Sequence, residues 1–503
     1  MNSFGLTDLV QWLELDFESD DTNCFKLDDV SDKYYYDAIC TDTRTLKKGQ
    51  IFLALRGNNF DGHNFLANAV DLGAGLLIVQ SMSQEADMLL QNDSRVFTCD
   101  TDLADIKPGM VPVIRVEDTL TAYQKIARGY RLAFRGKVIA VTGSVGKTST
   151  REMVSACLSG TLKIHATRDN LNNEIGLPAT ILQASSDEDA VILEMGMRGS
   201  GEIELLSLIA QPDIAMITNI GWSHIERLGS RDAILRAKCE ILSGLNPDGW
   251  LILNSDDKLL SGWRLSEHIG QNLFLVSADG KLADDYNGLQ LWADQIIVNE
   301  SSTAFTLRSK TESWPVNLHV PGRHHVRNAL FGFAAAVLTG VPIEAAIRGA
   351  ENYINTGSRQ KIIECGSIRI IDDSYNAAPE SMLAAIDALA LIAGKHRKIA
   401  VLGCMLELGE FARELHLEIG RAAALTGVDK LFLIGEFAES VKEGALSVNP
   451  EIDVVTFDER SDLSSSLMSV VKNNDHILIK GSRAFQLEKV VSDIIKLQEE
   501  ANL

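Results

Sequence analysis

A lysine and a threonine, Lys147 and Thr148, follow the turn Gly143 to Gly146, which itself follows the branched apolar run Val138 to Val141. A glycine-rich turn between strand and helix lets backbone N–H groups and the helix N-terminus face a phosphate. In such a loop the lysine reaches the β/γ-phosphates and the hydroxyl binds Mg²⁺. The spacing therefore assigns Gly143, Ser144, Val145, Gly146, Lys147, Thr148 and Ser149 to the phosphates of a nucleotide. The general G-x-x-x-x-G-K-[ST] pattern would need glycine at 141, where this chain has Val141, so the match is to a shorter T-G-x-x-G-K-T form.

A hydrolysable nucleotide needs more cation ligands than one hydroxyl, because Mg²⁺ prefers octahedral oxygen and usually takes carboxylates. Glu194 ends the apolar run of "DAVILEMG", where a buried carboxylate is costly unless it meets a cation or a donor. The alternative is a pair with Arg198. His224 follows another strand end in "ITNIGWSHIERLGS", and Lys238 falls on the helix after it. Taken singly, a histidine also reads as a satisfied structural residue and a lysine as a solvated one, and residue chemistry leaves both readings open.

These residues need a scaffold. The chain has 503 residues, too many for one core at roughly 100 to 200 residues per domain. "GQIFLALRG" and "GAGLLIVQ" are short buried strands of a first α/β block. After the helical stretch Ala122 to Phe134, "KVIAVTGS", "DAVILEMG", "PDIAMITNIG", "GWLILNSDD" and "NLFLVSADG" alternate with helical segments, which predicts crossover units and a mostly parallel sheet. "LQLWADQIIVNESSTAFTLRS" has the turn-punctuated look of an antiparallel excursion, and "PGRHHVRNALFGFAAAVLTG" returns to helix. A third series, "SIRIIDDSYN", "RKIAVLGCM", "DKLFLIGE", "IDVVTFDE" and "DHILIKGSR", reads as a doubly wound sheet of its own. The expected architecture is α/β in three domains: 1–117, 118–355 and 356–503.

Composition narrows the partners. A net charge of −22 opposes attachment to nucleic acid or anionic lipid, so an anionic ligand must be held by local donors and metal ions. Seven cysteines without a C-x-x-C pair predict reduced thiols rather than a disulfide framework or zinc site. Acidic stretches such as "DFESDD" and "SSDEDA" lack ligand-like spacing and read as solvated loops. No apolar stretch approaches the roughly 20 residues of a membrane span, and the N-terminus does not read as a secretory signal. The expectation is a cytoplasmic protein.

In this order, "TDTRTLKKGQIFLALRGNNFDGHNF", "TGSVGKTST", "NLNNEIGLPATIL", "RAKCEI", "PGRHHVRNAL", "DDSYNAAPESM", "LGCMLELGEFARELH" and "KGSRAFQLEKVV" resemble the Mur ligases, the ATP-dependent amide ligases of peptidoglycan synthesis, over essentially the whole chain. "LNNEIGLP", "MGMRGSGEI" and "MLELGE" resemble the branch that joins D-alanyl-D-alanine to UDP-N-acetylmuramoyl-tripeptide. The fold this implies is a UDP-binding N-terminal domain, a central phosphate-loop ATPase domain and a Rossmann-like C-terminal domain. The rival within enzymes is a Mur-type ligase with another amine acceptor; the rival outside them is a nucleotide switch, against which the missing N-K-x-D speaks.

The resemblance implies roles position by position. Lys147 would contact the γ-phosphate, Thr148 and Glu194 would bind one Mg²⁺, and His224 a second, with Lys238 matching a lysine that CO₂ carbamylates into a carboxylate-like group. His325 and Asn328 fall where the family contacts adenine, and Arg359 and Asp373 where it contacts phosphates and ribose. Thr43, Arg44, Asp61, Gly62 and His63 would meet the uridine diphosphate end; by residue chemistry they read equally as a charged turn with a structural histidine. Asn172, Asn173 and Glu174 would lie beside the donor peptide, and Asn376 with Ala377 to Ser381 would shape the acceptor pocket. Two positions depart from the family pattern: His325 stands for the commoner asparagine and Cys404 for the commoner aspartate. A monomer is expected.

Overall fold

Among the described residues three sheets, each formed from a separate stretch of chain, carry the architecture, and a short antiparallel pair, Phe4–Gly5 with Tyr35–Tyr36, adds a fourth. The computed structural model describes residues 4–14, 35–57, 60–98, 109–266, 272–280, 286, 288–355 and 357–501. The acidic stretch "DFESDD", Cys24 and Cys99 lie outside these residues.

The N-terminal sheet has five parallel strands in the order Ile39–Cys40, Ile51–Leu53, Leu76–Gln80, Val111–Val116, Val96–Phe97. Helix Thr119–Ala133 then joins it to the rest of the molecule. On one side Trp12 packs edge-on against Tyr130 with ring centroids 6.5 Å apart, and Gly129 is needed because a Cβ there would lie 2.1 Å from the Trp12 ring. On the other, the buried Arg131 donates to the Ala210 carbonyl at 2.9 Å and to Asp213 Oδ2 at 2.9 Å.

The middle sheet has nine strands. Lys137–Thr142 lies between Ala190–Glu194 and Ile214–Ile217, with Ile164–Ala166 at one edge. Its apolar residues Val138 to Val141 are essentially inaccessible, as a central parallel strand covered on both faces requires. The chain leaves this strand toward one edge, returns, and crosses to the other side, so the strand marks the switch point where the carboxyl ends open a crevice. The expected antiparallel excursion is part of this same sheet. Leu289–Val298 pairs parallel with Asn272–Ser277 on one side, and only its pairings with Thr303–Arg308 and onward to Ser313–Leu318 are antiparallel. Helices Lys147–Ser159 and Arg323–Thr339 share the core beneath this sheet with Phe274, Phe305, Phe331 and Phe333.

The C-terminal sheet has six strands in the order Lys361–Cys365, Ile368–Asp373, His476–Lys480, Lys398–Gly403, Lys430–Ile434, Asp453–Phe457, all parallel except the first. That antiparallel edge strand precedes the first strand expected from the sequence, "SIRIIDDSYN". Of the described cysteines, 40, 157, 365 and 404 are free thiols.

Candidate active site between the middle and C-terminal sheets

The carboxyl ends of Lys137–Thr142 and Ala190–Glu194 face those of Ile368–Asp373 and His476–Lys480 across one cleft of about 600 Å³. Of the residues singled out from sequence, it is lined by Ser144 to Ser149, Asn172, Asn173, Glu174, Glu194, His224, His325, Asn328, Arg359, Asp373 and Asn376.

The phosphate loop is held in shape by the segment after strand Ile214–Ile217. Gly143 has φ 149° and could carry no side chain, because a Cβ would fall 2.0 Å from Thr218 Oγ1. Asn219 grips Val145 twice: its Oδ1 accepts from the Val145 N–H at 3.1 Å and its Nδ2 donates to the Val145 carbonyl at 2.9 Å. Ser144 Oγ accepts from the Gly221 N–H at 2.8 Å. Gly146, at φ 80°, begins helix Lys147–Ser159 with no side-chain cap, which leaves the first-turn amides available to an anion. Lys147 Nζ donates to the Gly143 and Ser144 carbonyls at 2.8 and 3.2 Å. Burial lowers its pKa, the nearby Glu194 carboxylate works against that, and Arg359 adds to it.

Glu194, 3% exposed, has both oxygens engaged: Oε2 accepts from Thr148 Oγ1 at 2.8 Å and Oε1 from Asn172 Nδ2 at 2.8 Å. Asn173 Oδ1 instead accepts from the Gly176 N–H at 2.9 Å, at the start of helix Gly176–Gln183. Behind the cleft Lys238 is fully buried, and its Nζ has no hydrogen-bond partner among the described residues. Burial, and then the Lys147 cation, push its pKa well below the ordinary lysine value. A neutral amine is the form that adds CO₂, and a carbamate would turn an orphaned donor into an anionic oxygen ligand. Among the described residues no three His, Cys, Asp or Glu side chains already form a metal-binding group. The donors present, a threonine hydroxyl, one carboxylate, one imidazole and a modifiable lysine, suit a hard cation only if that lysine supplies oxygen.

From the C-terminal side, the Arg359 guanidinium stacks 4.0 Å over the Tyr375 ring. Asp373 Oδ2 accepts from Lys480 Nζ at 2.7 Å, and the same ammonium donates to the Asn376 carbonyl at 3.0 Å. His224 Nδ1 lies 2.5 Å from Glu407 Oε2. Glu380 accepts from the Trp222 N–H at 3.1 Å, and its carboxylate lies so close over Gly221 that a Cβ there would meet Oε1 at 2.4 Å. Asn328 Oδ1 accepts from Thr150 Oγ1 at 3.1 Å. The buried His325 has neither ring nitrogen hydrogen-bonded among the described residues, and burial, reinforced by His324, pushes its pKa well below the ordinary histidine value.

Sequence reasoning missed Asn219, Lys480 and Glu407. Lys480 carried the same signal as Glu194, a charge ending an apolar strand, and could have been found that way. The other two have no local signature.

Thr43, Arg44, Asp61, Gly62 and His63 do not line this cleft. Arg44 is exposed and paired with Asp42 at 2.6 Å. His63 is buried with both nitrogens engaged, Nδ1 with Asp61 Oδ1 at 2.6 Å and Nε2 accepting from the Gln80 N–H at 2.9 Å. It therefore fixes the turn against strand Leu76–Gln80. A Cβ at Gly62 would lie 2.9 Å from the Leu55 carbonyl oxygen, so the turn itself demands glycine.

Comparison with known proteins matches residues 141–336 to the Mur ligase middle domain, 358–483 to the Mur ligase glutamate ligase domain and 35–131 to the catalytic domain of the Mur ligase family. The UDP-N-acetylmuramoyl-tripeptide--D-alanyl-D-alanine ligase of Bacillus subtilis is 36% identical over 459 residues, covering 91% of this chain and 93% of its own. MurF from Acinetobacter baumannii superposes with a TM-score of 0.82 at 28% identity, covering 99% of both chains. MurF ligase from Thermotoga maritima, solved in complex with ADP, gives 0.76 at 26%, covering 92% of this chain and 98% of that one.

Proposed function

This chain belongs to the Mur ligase family, and from that premise we propose that it joins D-alanyl-D-alanine to the terminal carboxylate of UDP-N-acetylmuramoyl-tripeptide. ATP is consumed to ADP and phosphate, and the product is the pentapeptide precursor of peptidoglycan. The observation that carries the reading is the single cleft in which the phosphate loop and the Thr148–Glu194 pair face Arg359, Asp373 and Lys480 from the other sheet.

A carboxylate and an amine do not condense in water unaided. The tripeptide carboxylate attacks the γ-phosphorus of ATP, ADP leaves, and the acyl phosphate then accepts the dipeptide amine with loss of phosphate. Lys147, released from the loop carbonyls it now holds, stabilises charge on the transferring oxygens, and the uncapped helix start faces the phosphates. Mg²⁺, held by Thr148 and Glu194 with His224 and a carbamylated Lys238 at a second position, would add Lewis-acid stabilisation of the same charge. His325 and Asn328 are assigned to the adenine, Arg359 and Asp373 to the phosphates and ribose. Asn172 to Glu174 are assigned to the donor peptide, Asn376 to Ser381 to the acceptor, and Thr43, Arg44 and the Asp61–His63 turn to the uridine diphosphate. Positioning two substrates against one reactive phosphate in a site closed to water supplies much of the acceleration.

No helix among the described residues is long and apolar enough to cross a membrane. We place the reaction in the cytoplasm, with the enzyme a monomer. Phosphate release from ATP, measured with UDP-muramyl-tripeptide with and without D-alanyl-D-alanine, tests the reading. Release that requires both substrates supports it, and release indifferent to the dipeptide rejects it.

A further inference from the structure

We propose that Glu407 is a positioning residue that fixes the ring of His224 from across the interface between the middle and C-terminal sheets, so that the second cation position is completed only when the two are docked. This rests on the assignment of His224 to a divalent cation made above.

The two residues are 183 apart in sequence and meet at 2.5 Å. His224 stands just before the short helix Ile225–Leu228, and Glu407 lies in the loop between strand Lys398–Gly403 and helix Ala412–Leu425. Neighbouring backbone and rings hold the contact in place. The Glu226 N–H donates to the Glu407 carbonyl at 3.2 Å, Gly409 packs so closely that a Cβ would sit 3.3 Å from Glu226 Cα, and Trp222 meets Phe411 with ring centroids 5.3 Å apart. Both partners also adopt left-handed backbone, His224 at φ 65° and Glu407 at φ 61°. Non-glycine residues rarely adopt that region, and such strain persists where the surroundings over-determine it, often at sites of function.

The chemical consequence follows from what each group can donate. A carboxylate only accepts, so a neutral imidazole facing Glu407 must carry its proton on Nδ1. That leaves the lone pair on Nε2, the form in which histidine ligates a metal, and a carboxylate behind the ring is the usual device for fixing both tautomer and orientation. His224 lines the cleft, so docking of the Glu407 loop would pre-set a ligand inside it.

The test uses the full-length protein labelled with ¹⁵N-histidine, with His224→Asn identifying the His224 signals. The wild type is expected to show a single neutral Nδ1–H tautomer, and Glu407→Ala to lose that selection. Titration with Mn²⁺ alone, followed by electron paramagnetic resonance, is expected to weaken about tenfold in Glu407→Ala, no further than in His224→Asn. Glu407→Gln, whose carbonyl still accepts from Nδ1–H, should keep most of the affinity and decides the matter if the alanine variant does not fold. An Nε2–H tautomer in the wild type, or Mn²⁺ affinity unchanged in a folded Glu407→Ala, overturns the proposal. Neither readout uses substrate, so absent dipeptide-dependent phosphate release would sink the functional reading while leaving this one standing.

Discussion

Thr148 donates its hydroxyl to Oε2 of Glu194 across 2.8 Å, joining the first turn of the phosphate-loop helix to the end of a neighbouring strand 46 residues away. The other oxygen of Glu194 is held by Asn172 at 2.8 Å, so the buried carboxylate is aimed from both sides. Glu194→Gln keeps the shape and loses the charge. Its kcat is expected to fall about 10²- to 10³-fold, the scale of losing one preorganised electrostatic group. Steady-state phosphate release checks this, and near wild-type turnover would remove Glu194 from the cation site.

Asn219 is the main clamp on Val145, with both its amide groups engaged there. Asn219→Ala should cost about 0.5 to 1.5 kcal/mol of stability, the net worth of a hydrogen bond, since Thr218 Oγ1 still donates to the Val145 carbonyl at 2.8 Å. ADP affinity should fall with it, because the loop amides lose their fixed directions. Urea unfolding and calorimetric ADP titration measure the two effects; loss of stability with unchanged ADP binding would show that the loop does not depend on this clamp.

Lys238 is a buried amine without a hydrogen-bond partner among the described residues. In CO₂-free buffer Lys238→Met should be more stable than wild type by about 1 to 3 kcal/mol, since it removes an unsatisfied buried polar group. It should also be inactive. In the wild type equilibrated with ¹³C-bicarbonate, a lysine carbamate signal should appear and be absent from the variant. An active methionine variant would contradict the assigned role.

His416 supplies a pH dependence of structural origin. Its Nδ1 donates to the Ala412 carbonyl at 2.7 Å and its Nε2 accepts from the Met405 N–H at 2.9 Å, so both nitrogens are in use with the ring neutral. Burial lowers its pKa below the usual 6.5. The unfolded chain therefore takes up a proton, near pH 6.5 and below, that the folded chain resists. Stability from this group is present above 6.5 and is lost as pH falls toward the lowered folded value. His416→Gln should flatten the acid side of the thermal-midpoint profile below about pH 6.5. An unchanged slope would mean that the folded ring takes up its proton as readily as the unfolded one.

Some of the site was legible in the sequence, for a local reason. The run from Val138 to Thr148 is covalently continuous, and buried strand, glycine turn and helix start each leave a mark within a few residues. Glu194 was legible because a charge closing an apolar strand is costly without a partner, although the sequence could not say whether that partner was Arg198 or Thr148. The edge strand Lys361–Cys365 escaped because a short, half-exposed strand has neither a clean alternation nor a continuous apolar run.

What tertiary structure alone decided is which distant residues meet. His63 and His224 read alike in the sequence, yet the ring nitrogens of the first are engaged by Asp61 and Gln80 within its own sheet, while the second lines a cleft against Glu407 from another. Asn219 reaches Val145, 74 residues away, only because strand Ile214–Ile217 lies beside Lys137–Thr142. Periodicity and turn chemistry record how each segment buries its own apolar face. The order of strands in a sheet and the docking of one sheet's loops against another's are set by the summed packing of the whole chain, so residue chemistry determined what could react and the fold determined what faces it.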